Sequence, residues 1–311
     1  MNSSAFTDPL YIIILIIGII AFIFGGIIII LSLFIKNKLS YSFSLILNLL
    51  FMSSLHSLSY TFNWVYTDNG TFKACFGRAM CIIQSSTLIF SSLSEELWLT
   101  IITFTTHKLI ASPKNNNSSS LSCQTLIIFL LICYFFPLAV TVFYLSLGYL
   151  GENHLNCWIL SLSRDENYYI KGLVLYLHKW INLILVIIFS LKTIKYFNSF
   201  SKNEIKEQGI QTPFLRILIF PLIQIIGTII PTTYTILIGF NIDADFFAIP
   251  TLICGSVPGL LFPIIYLTFE NVRKELFSFF KRPKEKDRTM SLGALYNISD
   301  DLNKSAELPN I

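Results

Sequence analysis

The stretch CIIQSSTLIFSSLSEELWLTIITFTTHK, residues 81–108, has the length of a transmembrane helix but carries too many polar side chains to face lipid. At 1.5 Å per residue, Glu95 lies about 21 Å beyond Cys81, deep in a hydrocarbon core about 30 Å thick. The polar side chains form two adjacent stripes, Gln84, Ser91, Glu95 and Trp98 on one and Ser92, Glu96, Thr103 and His107 on the other. Both stripes need protein neighbours, so we predict that this helix lies at the centre of a helix bundle.

The composition of the chain is that of a polytopic membrane protein. Of its 311 residues, 54% are hydrophobic and 13% are charged, whereas soluble domains contain about 25% charged residues. The net charge of +4 does not indicate a nucleic-acid partner, because the Lys and Arg residues are grouped in loops and in the C-terminal tail. The cysteines form no C-x-x-C pair and the histidines no cluster at metal-ligand spacing, so the sequence predicts neither a metal site nor a cofactor.

Seven apolar segments predict seven transmembrane helices. We place them at about residues 11–35, 39–64, 75–108, 125–147, 172–196, 212–240 and 246–269, with loops at 65–74 and 148–171. The first segment is followed by Lys36 and Lys38 and preceded by no basic residue, so we interpret it as a retained span rather than a signal peptide. Residues 1–10 form a short N-terminal segment, 270–281 a short amphipathic eighth helix at the membrane surface, and 282–311 a polar, disordered tail.

The basic residues predict the orientation of the bundle. All but five of the 22 Lys and Arg residues lie in segments that this topology places inside; the exceptions are Lys73, Arg78, Arg164, Lys171 and Lys179. The positive-inside rule therefore predicts an extracellular N-terminus and a cytoplasmic C-terminus, and we expect the plasma membrane as the location. Asn2 and Asn69 then form glycosylation acceptors on the outer side.

The third helix also carries a spacing pattern, Cys81-x2-Gln84-x13-Trp98-x8-His107-Lys108. The pattern resembles the third helix of the slime-mould cyclic AMP receptors and their receptor-like relatives in fungi, plants and protists. Further matches are Cys157-Trp158 in the second outer loop, Phe220-Pro221-Leu222 and Pro231 in helix six, and Gly259, Tyr266 and Asn271-Val272-Arg273 in and after helix seven. The chain departs from the family pattern at Leu260-Leu261-Phe262-Pro263, where relatives usually have an Asn, and at Glu95-Glu96, where uncharged residues are expected.

The resemblance implies an all-α membrane protein, a seven-transmembrane helix bundle with a short amphipathic eighth helix, that acts as a G-protein-coupled receptor and not as an enzyme. It implies a heterotrimeric G protein as partner and a small extracellular ligand, with cyclic AMP as the candidate. It also implies a disulfide between Cys81 and Cys157, while Cys75 stays open as an alternative partner. A bridge that closes so long a loop would stabilise the fold by about 4 kcal/mol.

The ligand-binding candidates are the outer cations and the polar residues of helix three, namely Arg78, Arg164, Lys171, Lys179, Gln84, Glu95 and Glu96. The cations would bind the phosphate of an anionic ligand, or they are solvated loop charges and headgroup anchors. Lys179 either snorkels outward or pairs with a glutamate of helix three. The two glutamates form a ligand counter-charge, a proton-sensitive switch or a cation site, or they are neutral acids hydrogen-bonded to Asn48, Ser54 or His56.

On the inner side, the candidates that face the G protein are His107, Lys108, Lys202, Lys206 and Arg216. They would form a basic surface that opens when helix six swings outward. Such charges also serve simply to orient a membrane protein in the bilayer.

Other classes of membrane protein fit the sequence less well. A microbial rhodopsin needs a Schiff-base lysine in helix seven, and residues 246–269 contain none. An intramembrane protease needs a motif such as H-E-x-x-H or Asp residues within the spans, and the sequence has neither. Two alternatives remain: a transporter or channel lined by Glu95 and Glu96, which no internal repeat supports, and a receptor-like protein that does not couple.

Overall fold

The computed structural model describes residues 9–34, 41–61, 65–68, 71–74, 77–111, 123–152, 157–159, 168–199, 211–239, 245–269 and 272–274. Within this part of the chain, the long helices are α1 (Pro9–Phe34), α2 (Tyr41–Thr61), α3 (Gly77–Ala111), α4 (Cys123–Ser146), α5 (Tyr168–Ser199), α6 (Gln211–Gly239) and α7 (Asp245–Leu267). The predicted seven-helix fold is confirmed. The largest difference in bounds is at α5, which begins at Tyr168 and not near Gly172.

α3 lies at the centre of the bundle, as its two polar stripes predict. It packs against α2, α4, α5 and α6. In its membrane-spanning part, Gly77–Lys108, 67% of the residues are buried. The corresponding shares are 17% for Gln124–Ser146 of α4 and 22% for Leu175–Tyr196 of α5. Around it, α1 packs against α2 and α7, and α6 packs against α5 and α7. The polar side chains of α3 are therefore shielded from lipid by protein on several sides.

The outer helices present apolar surfaces that suit a bilayer. Among the described residues, α1, α3, α4 and α5 each contain a window long and apolar enough to cross a membrane, and α2, α6 and α7 contain shorter apolar stretches. One face of α4 exposes a row of large apolar side chains, Ile128, Leu131, Phe135, Leu138 and Val142. Such a row is stable against lipid chains and not against water. The chain is a multi-pass membrane protein.

The two segments predicted as loops at 65–74 and 148–171 contain short antiparallel hairpins. β1 (Val65–Asp68) pairs with β2 (Thr71–Ala74), and Asp68 lies opposite Thr71, so two residues connect the strands. Their sequence, Asn-Gly, is a strong signal for a two-residue hairpin connection, which the loop interpretation overlooked. β3 (Leu150–Glu152) pairs with β4 (Cys157–Ile159).

Gly148 ends α4 and turns the chain toward β3. Its φ angle is +66°, in the left-handed region that glycine adopts without a steric penalty. The Gly148 N–H donates to Leu145 O at 3.0 Å, and the Tyr149 N–H donates to Tyr144 O at 3.1 Å. These two bonds form a Schellman cap, which satisfies carbonyl groups that would otherwise lack a partner at the end of the helix.

α7 approaches α2 closely at Gly259. The Gly259 N–H donates a hydrogen bond to Ser57 Oγ at 3.1 Å, and Ser57 Oγ donates to Ser256 O at 2.9 Å. A Cβ atom at Gly259 would overlap the Ser57 side chain, so glycine permits this separation of the two helices. Farther along α7, Tyr266 is hydrogen-bonded to Ser32 of α1 at 3.3 Å. Gly259 and Tyr266, two of the residues that carry the family resemblance, thus hold α7 to its neighbours.

The chain divides into two units, residues 1–269 and 270–311. In the second unit the structure describes residues 272–274, which are helical and lie within the eighth helix predicted at 270–281. The predicted disordered tail, 282–311, lies outside the described residues, as does most of the predicted N-terminal segment, 1–10.

Candidate functional site

At one end of α3, a disulfide fixes the second hairpin to the bundle. Cys81 of α3 is joined to Cys157 at the start of β4, with their Cα atoms 5.1 Å apart. This is the pairing that the family resemblance implies; Cys75, the alternative partner, lies outside the described residues. The hairpin also packs against α3, where Leu150 of β3 shares an apolar cluster with Ile89. A covalent bond and apolar packing therefore hold this connection against α3.

Farther along α3, Glu95 contacts α2. The Glu95 side chain is fully buried, and its Oε2 lies 2.5 Å from Nδ1 of His56. His56 is one of the three partners that the sequence suggested for a buried acid. Burial removes the Glu95 carboxyl group from bulk water, so this hydrogen bond compensates its burial and links α2 to α3.

The next residue, Glu96, contacts the opposite neighbour, α5. Successive helical residues are about 100° apart, so two adjacent glutamates can reach different helices. Glu96 Oε1 lies 3.4 Å from the Lys179 Nζ, and both side chains are largely buried. The Lys179 ammonium group also donates a hydrogen bond to Ser92 Oγ at 2.9 Å, one helical turn earlier on α3. Lys179 thus pairs with a glutamate of helix three, the second of its two predicted alternatives.

A second polar contact joins α3 and α5 one turn farther along. The Thr100 hydroxyl donates to Asn182 Oδ1 at 3.1 Å. The Asn182 amide lies 2.7 Å from His178 Nε2 and donates to the His178 carbonyl oxygen at 3.1 Å. The α3–α5 interface therefore has polar contacts over two successive turns.

Trp98 of the third-helix pattern anchors α3 to α4. Its side chain is fully buried, and its ring meets the Tyr134 ring edge-on, with the centroids 5.7 Å apart. The Tyr134 hydroxyl donates to Asn48 Oδ1 of α2 at 2.5 Å. These contacts fix the rotation of α3, and with it the directions of Glu95 and Glu96.

A small cavity lies beside the Glu96–Lys179 pair, between α3, α5 and α6. Its volume is about 10 Å³, which is room for about one water molecule. The polar residues that line it are Glu96, Lys179 and Asn182 together with Gln224 and Thr228 of α6. The cavity therefore lies between the Glu96–Lys179 pair and α6.

The four ionisable groups form one buried cluster, which we call the charge cluster: His56, Glu95, Glu96 and Lys179. Each buried ion costs several kcal/mol unless a partner compensates it. In this cluster each acid faces a base on a different helix. Among the described atoms, however, Glu95 Oε1 and Glu96 Oε2 have no hydrogen-bond partner. Each carboxyl group therefore keeps one oxygen that could accept a further hydrogen bond.

The remaining ligand-binding candidates are not gathered at this cluster. Gln84 is buried between α3 and α2, where its amide donates to Ser59 O at 2.7 Å. Arg78 is exposed in the first turn of α3. Lys171 lies in α5, but its side chain is not described, and Arg164 lies outside the described residues.

Two of the candidates for contact with a G protein, His107 and Lys108, lie at the other end of α3. The His107 ring is half-buried, with its centroid 6.2 Å from that of Phe189 on α5, and Lys108 is exposed. Arg216 lies in α6, and its side chain is not described. Lys202 and Lys206, the other candidates for contact with a G protein, lie outside the described residues. The predicted glycosylation acceptors Asn2 and Asn69 also lie outside them.

Three residues of the site were not predicted from the sequence, namely Gln224, Thr228 and Thr100. A signal for Gln224 was present, because it stands within the apolar run LIFPLIQIIG at 218–227, and an amide facing lipid would lose its hydrogen bonds. It is 7% exposed and faces the cavity instead.

No family model matches the sequence, and no curated protein matches it. Among solved structures, the crystal structure of squid rhodopsin is similar, with a TM-score of 0.69 and 16% sequence identity, over 100% of this chain and 89% of that chain. The chain has a rhodopsin-like seven-helix fold. At this identity the similarity concerns the fold, and fold alone does not fix function. None of these comparisons confirms the resemblance to cyclic AMP receptors, which rests on the sequence pattern alone.

Proposed function

We propose that the protein is a receptor that transmits the binding of a small extracellular ligand to a heterotrimeric G protein, without catalysing a reaction. The observation that carries this proposal is the course of α3. One helix joins the Cys81–Cys157 bridge, the charge cluster and the basic pair His107-Lys108. From Cys81 to His107 it extends about 39 Å at 1.5 Å per residue, long enough to connect the two faces of a bilayer.

The contacts of α3 suggest how a signal would pass along the bundle. Glu95 links α3 to α2 through His56, and Glu96 links it to α5 through Lys179. A ligand that binds beneath the β3–β4 hairpin would shift the equilibrium between two arrangements of these helices, provided that it binds one arrangement more tightly. The basic residues that the sequence places on the inner side, His107, Lys108, Lys202, Lys206 and Arg216, would then contact the G protein.

In this proposal the Cys81 end of α3 faces the outside of the cell. The distribution of Lys and Arg favours an extracellular N-terminus, a cytoplasmic C-terminus and the plasma membrane as the location. Asn2 and Asn69 would then carry glycans. The β3–β4 hairpin would lie at the mouth of the ligand site.

Cyclic AMP is the candidate ligand, because the third-helix pattern resembles that of cyclic AMP receptors. Its cyclic phosphate needs cations, and guanidinium groups bind phosphate oxygens in pairs. Arg78 is exposed at the Cys81 end of α3, and Arg164 and Lys171 are the further candidates. Lys179 already faces Glu96, so we place the phosphate nearer the hairpin than the charge cluster.

The experiment is nucleotide exchange on a panel of heterotrimeric G proteins, each reconstituted with the receptor, with and without cyclic AMP. An Arg164→Ala, Lys171→Ala double mutant is measured in parallel. Exchange stimulated by cyclic AMP and lost in the double mutant supports the receptor, the ligand and the phosphate site. Stimulation that survives the mutation keeps the ligand and rejects that phosphate site.

Other outcomes would redirect the proposal. Exchange that cyclic AMP does not change would indicate a receptor for a different ligand. No exchange with any G protein would favour a transporter, a channel or a receptor-like protein that does not couple. In a transporter or channel, the buried Glu95 and Glu96 would line the path of the ion. Ion flux into vesicles would then be compared between the wild type and Glu95→Gln.

A further inference from the structure

We propose that the surface shared by α3 and α5 near His107 is a binding site for an anionic phospholipid. The cations of the site are Lys108, Lys192 and Lys195, which we call the lysine face. The proposal concerns the surface that meets the bilayer, and it does not depend on the proposed receptor function.

A ring contact brings the two parts of the lysine face together. The ring centroids of His107 in α3 and Phe189 in α5 are 6.2 Å apart. Lys108 is the residue after His107, and Lys192 lies three residues beyond Phe189. Residues three apart are neighbours on a helix surface, so Lys195 lies beside Lys192. The three lysines therefore belong to one region of the molecular surface.

The lysine face finds no counter-charge within the two helices that form it. All three side chains are exposed. Neither α5 nor the part of α3 beyond Glu96 contains an Asp or a Glu. The ion pairs among the described residues lie elsewhere, in the charge cluster. Negative charge for these lysines therefore has to come from outside α3 and α5.

Each lysine of the face stands four residues beyond a large apolar side chain that is itself exposed. The pairs are Phe104 and Lys108, Ile188 and Lys192, and Leu191 and Lys195. Residues four apart lie one above the other on a helix face. The surface therefore has an apolar layer and, one turn nearer the helix ends, a cationic layer.

This order of layers matches the depth profile of a phospholipid leaflet. The lysines lie in the last two turns of the membrane-spanning parts Gly77–Lys108 and Leu175–Tyr196. At that depth a lysine keeps its aliphatic stem in hydrocarbon and extends its ammonium group to the headgroups. Acyl chains would then contact the apolar layer, while the phosphate would contact the cationic layer. Because a soluble anion would use the cations alone, the two layers together favour a phospholipid.

The test is photolabelling of the full-length protein in phosphatidylcholine nanodiscs, without a G protein. Two probes with the same diazirine-bearing acyl chain are compared at low mole fraction: phosphatidylglycerol, which is anionic, and phosphatidylcholine, which is zwitterionic. Mass spectrometry quantifies the label on the peptide that contains Ile188 and Leu191. We expect phosphatidylglycerol to label it on the order of tenfold more, since each lysine near an anionic headgroup provides about a fivefold preference.

Two variants test whether charge causes this preference. Lys192→Gln with Lys195→Gln should lower the ratio of the two labels at least fivefold, whereas Lys192→Arg with Lys195→Arg keeps both charges and should retain the ratio. The ratio is taken within each variant, so a change in fold or access affects both probes alike. Equal labelling of the wild type by the two lipids overturns the site, as does a ratio that persists in the Gln variant. Suppression by millimolar glycerol 3-phosphate, the soluble part of the lipid, overturns the assignment to a phospholipid.

Discussion

Replacing Lys179 with Met removes the ammonium group that faces Glu96 while it keeps most of the side-chain volume. Lys179 and Glu96 are 14% and 4% exposed, so water screens their interaction little. Removal of one partner from a buried ion pair typically costs 3–5 kcal/mol, because the other charge is left without compensation. At about 2–4 °C per kcal/mol, the apparent Tm should fall by on the order of 10 °C.

The assay is thermal unfolding of the purified protein in detergent, followed by a thiol-reactive dye or by near-UV circular dichroism. The double mutant Lys179→Met, Glu96→Gln removes both charges, and neutral replacements of buried pairs often cost little. It should therefore recover most of the lost Tm. Lys192→Met is the matched control, since Lys192 is exposed on the same helix and should change stability by less than about 0.5 kcal/mol.

Two results would contradict the predicted role of the Glu96–Lys179 ion pair. One is a Tm of Lys179→Met equal to that of Lys192→Met, which would mean that the buried pair contributes nothing. The other is a double mutant as unstable as Lys179→Met, which would mean that the loss comes from packing and not from an uncompensated charge.

Three further predictions concern packing, the disulfide and topology. Gly259→Ala should lower the free energy of unfolding by about 1–3 kcal/mol, because the added methyl group overlaps α2. Gly26→Ala is the control, since a methyl group there meets no atom within 4 Å. Equal Tm values for the two variants would contradict the close approach of α7 to α2. Cys157→Ser should cost about 4 kcal/mol and release one free thiol that alkylation under denaturing conditions detects, whereas Cys254→Ser should not. Asn69→Gln should remove one glycan from protein expressed in eukaryotic cells, seen as a shift on electrophoresis; an unchanged, glycosidase-insensitive band would contradict the proposed topology.

The position of α3 could be predicted from the sequence because its physical constraint is local. Glu95, Glu96 and Gln84 on adjacent stripes cannot face lipid, so the helix has to be surrounded by others. The partners of these side chains could be only partly predicted. His56 was one of three candidates for Glu95, and Lys179 had two alternatives, because the choice depends on how each helix is rotated in the bundle.

Two other kinds of feature were missed, the hairpins and the position of Gln224. The strands of the hairpins are three or four residues long, too short for an alternating apolar pattern to stand out, and the Asn-Gly pair was the local signal for the first hairpin. Gln224 was visible as a lone amide in an apolar span, but a single polar residue does not indicate which neighbours it faces. Its position beside Glu96 follows from the packing of α6 against α3 and α5.

The measurement that tests the central claim most directly is the affinity of cyclic AMP for the receptor in nanodiscs, with and without nucleotide-free G protein. Linkage requires that a ligand which promotes coupling binds more tightly when the G protein is bound. We predict that the G protein lowers the Kd by about tenfold, and that excess GTP reverses the change. An affinity for cyclic AMP that no G protein in the panel alters, with or without GTP, would contradict the account of this protein as a cyclic AMP receptor that couples to a G protein.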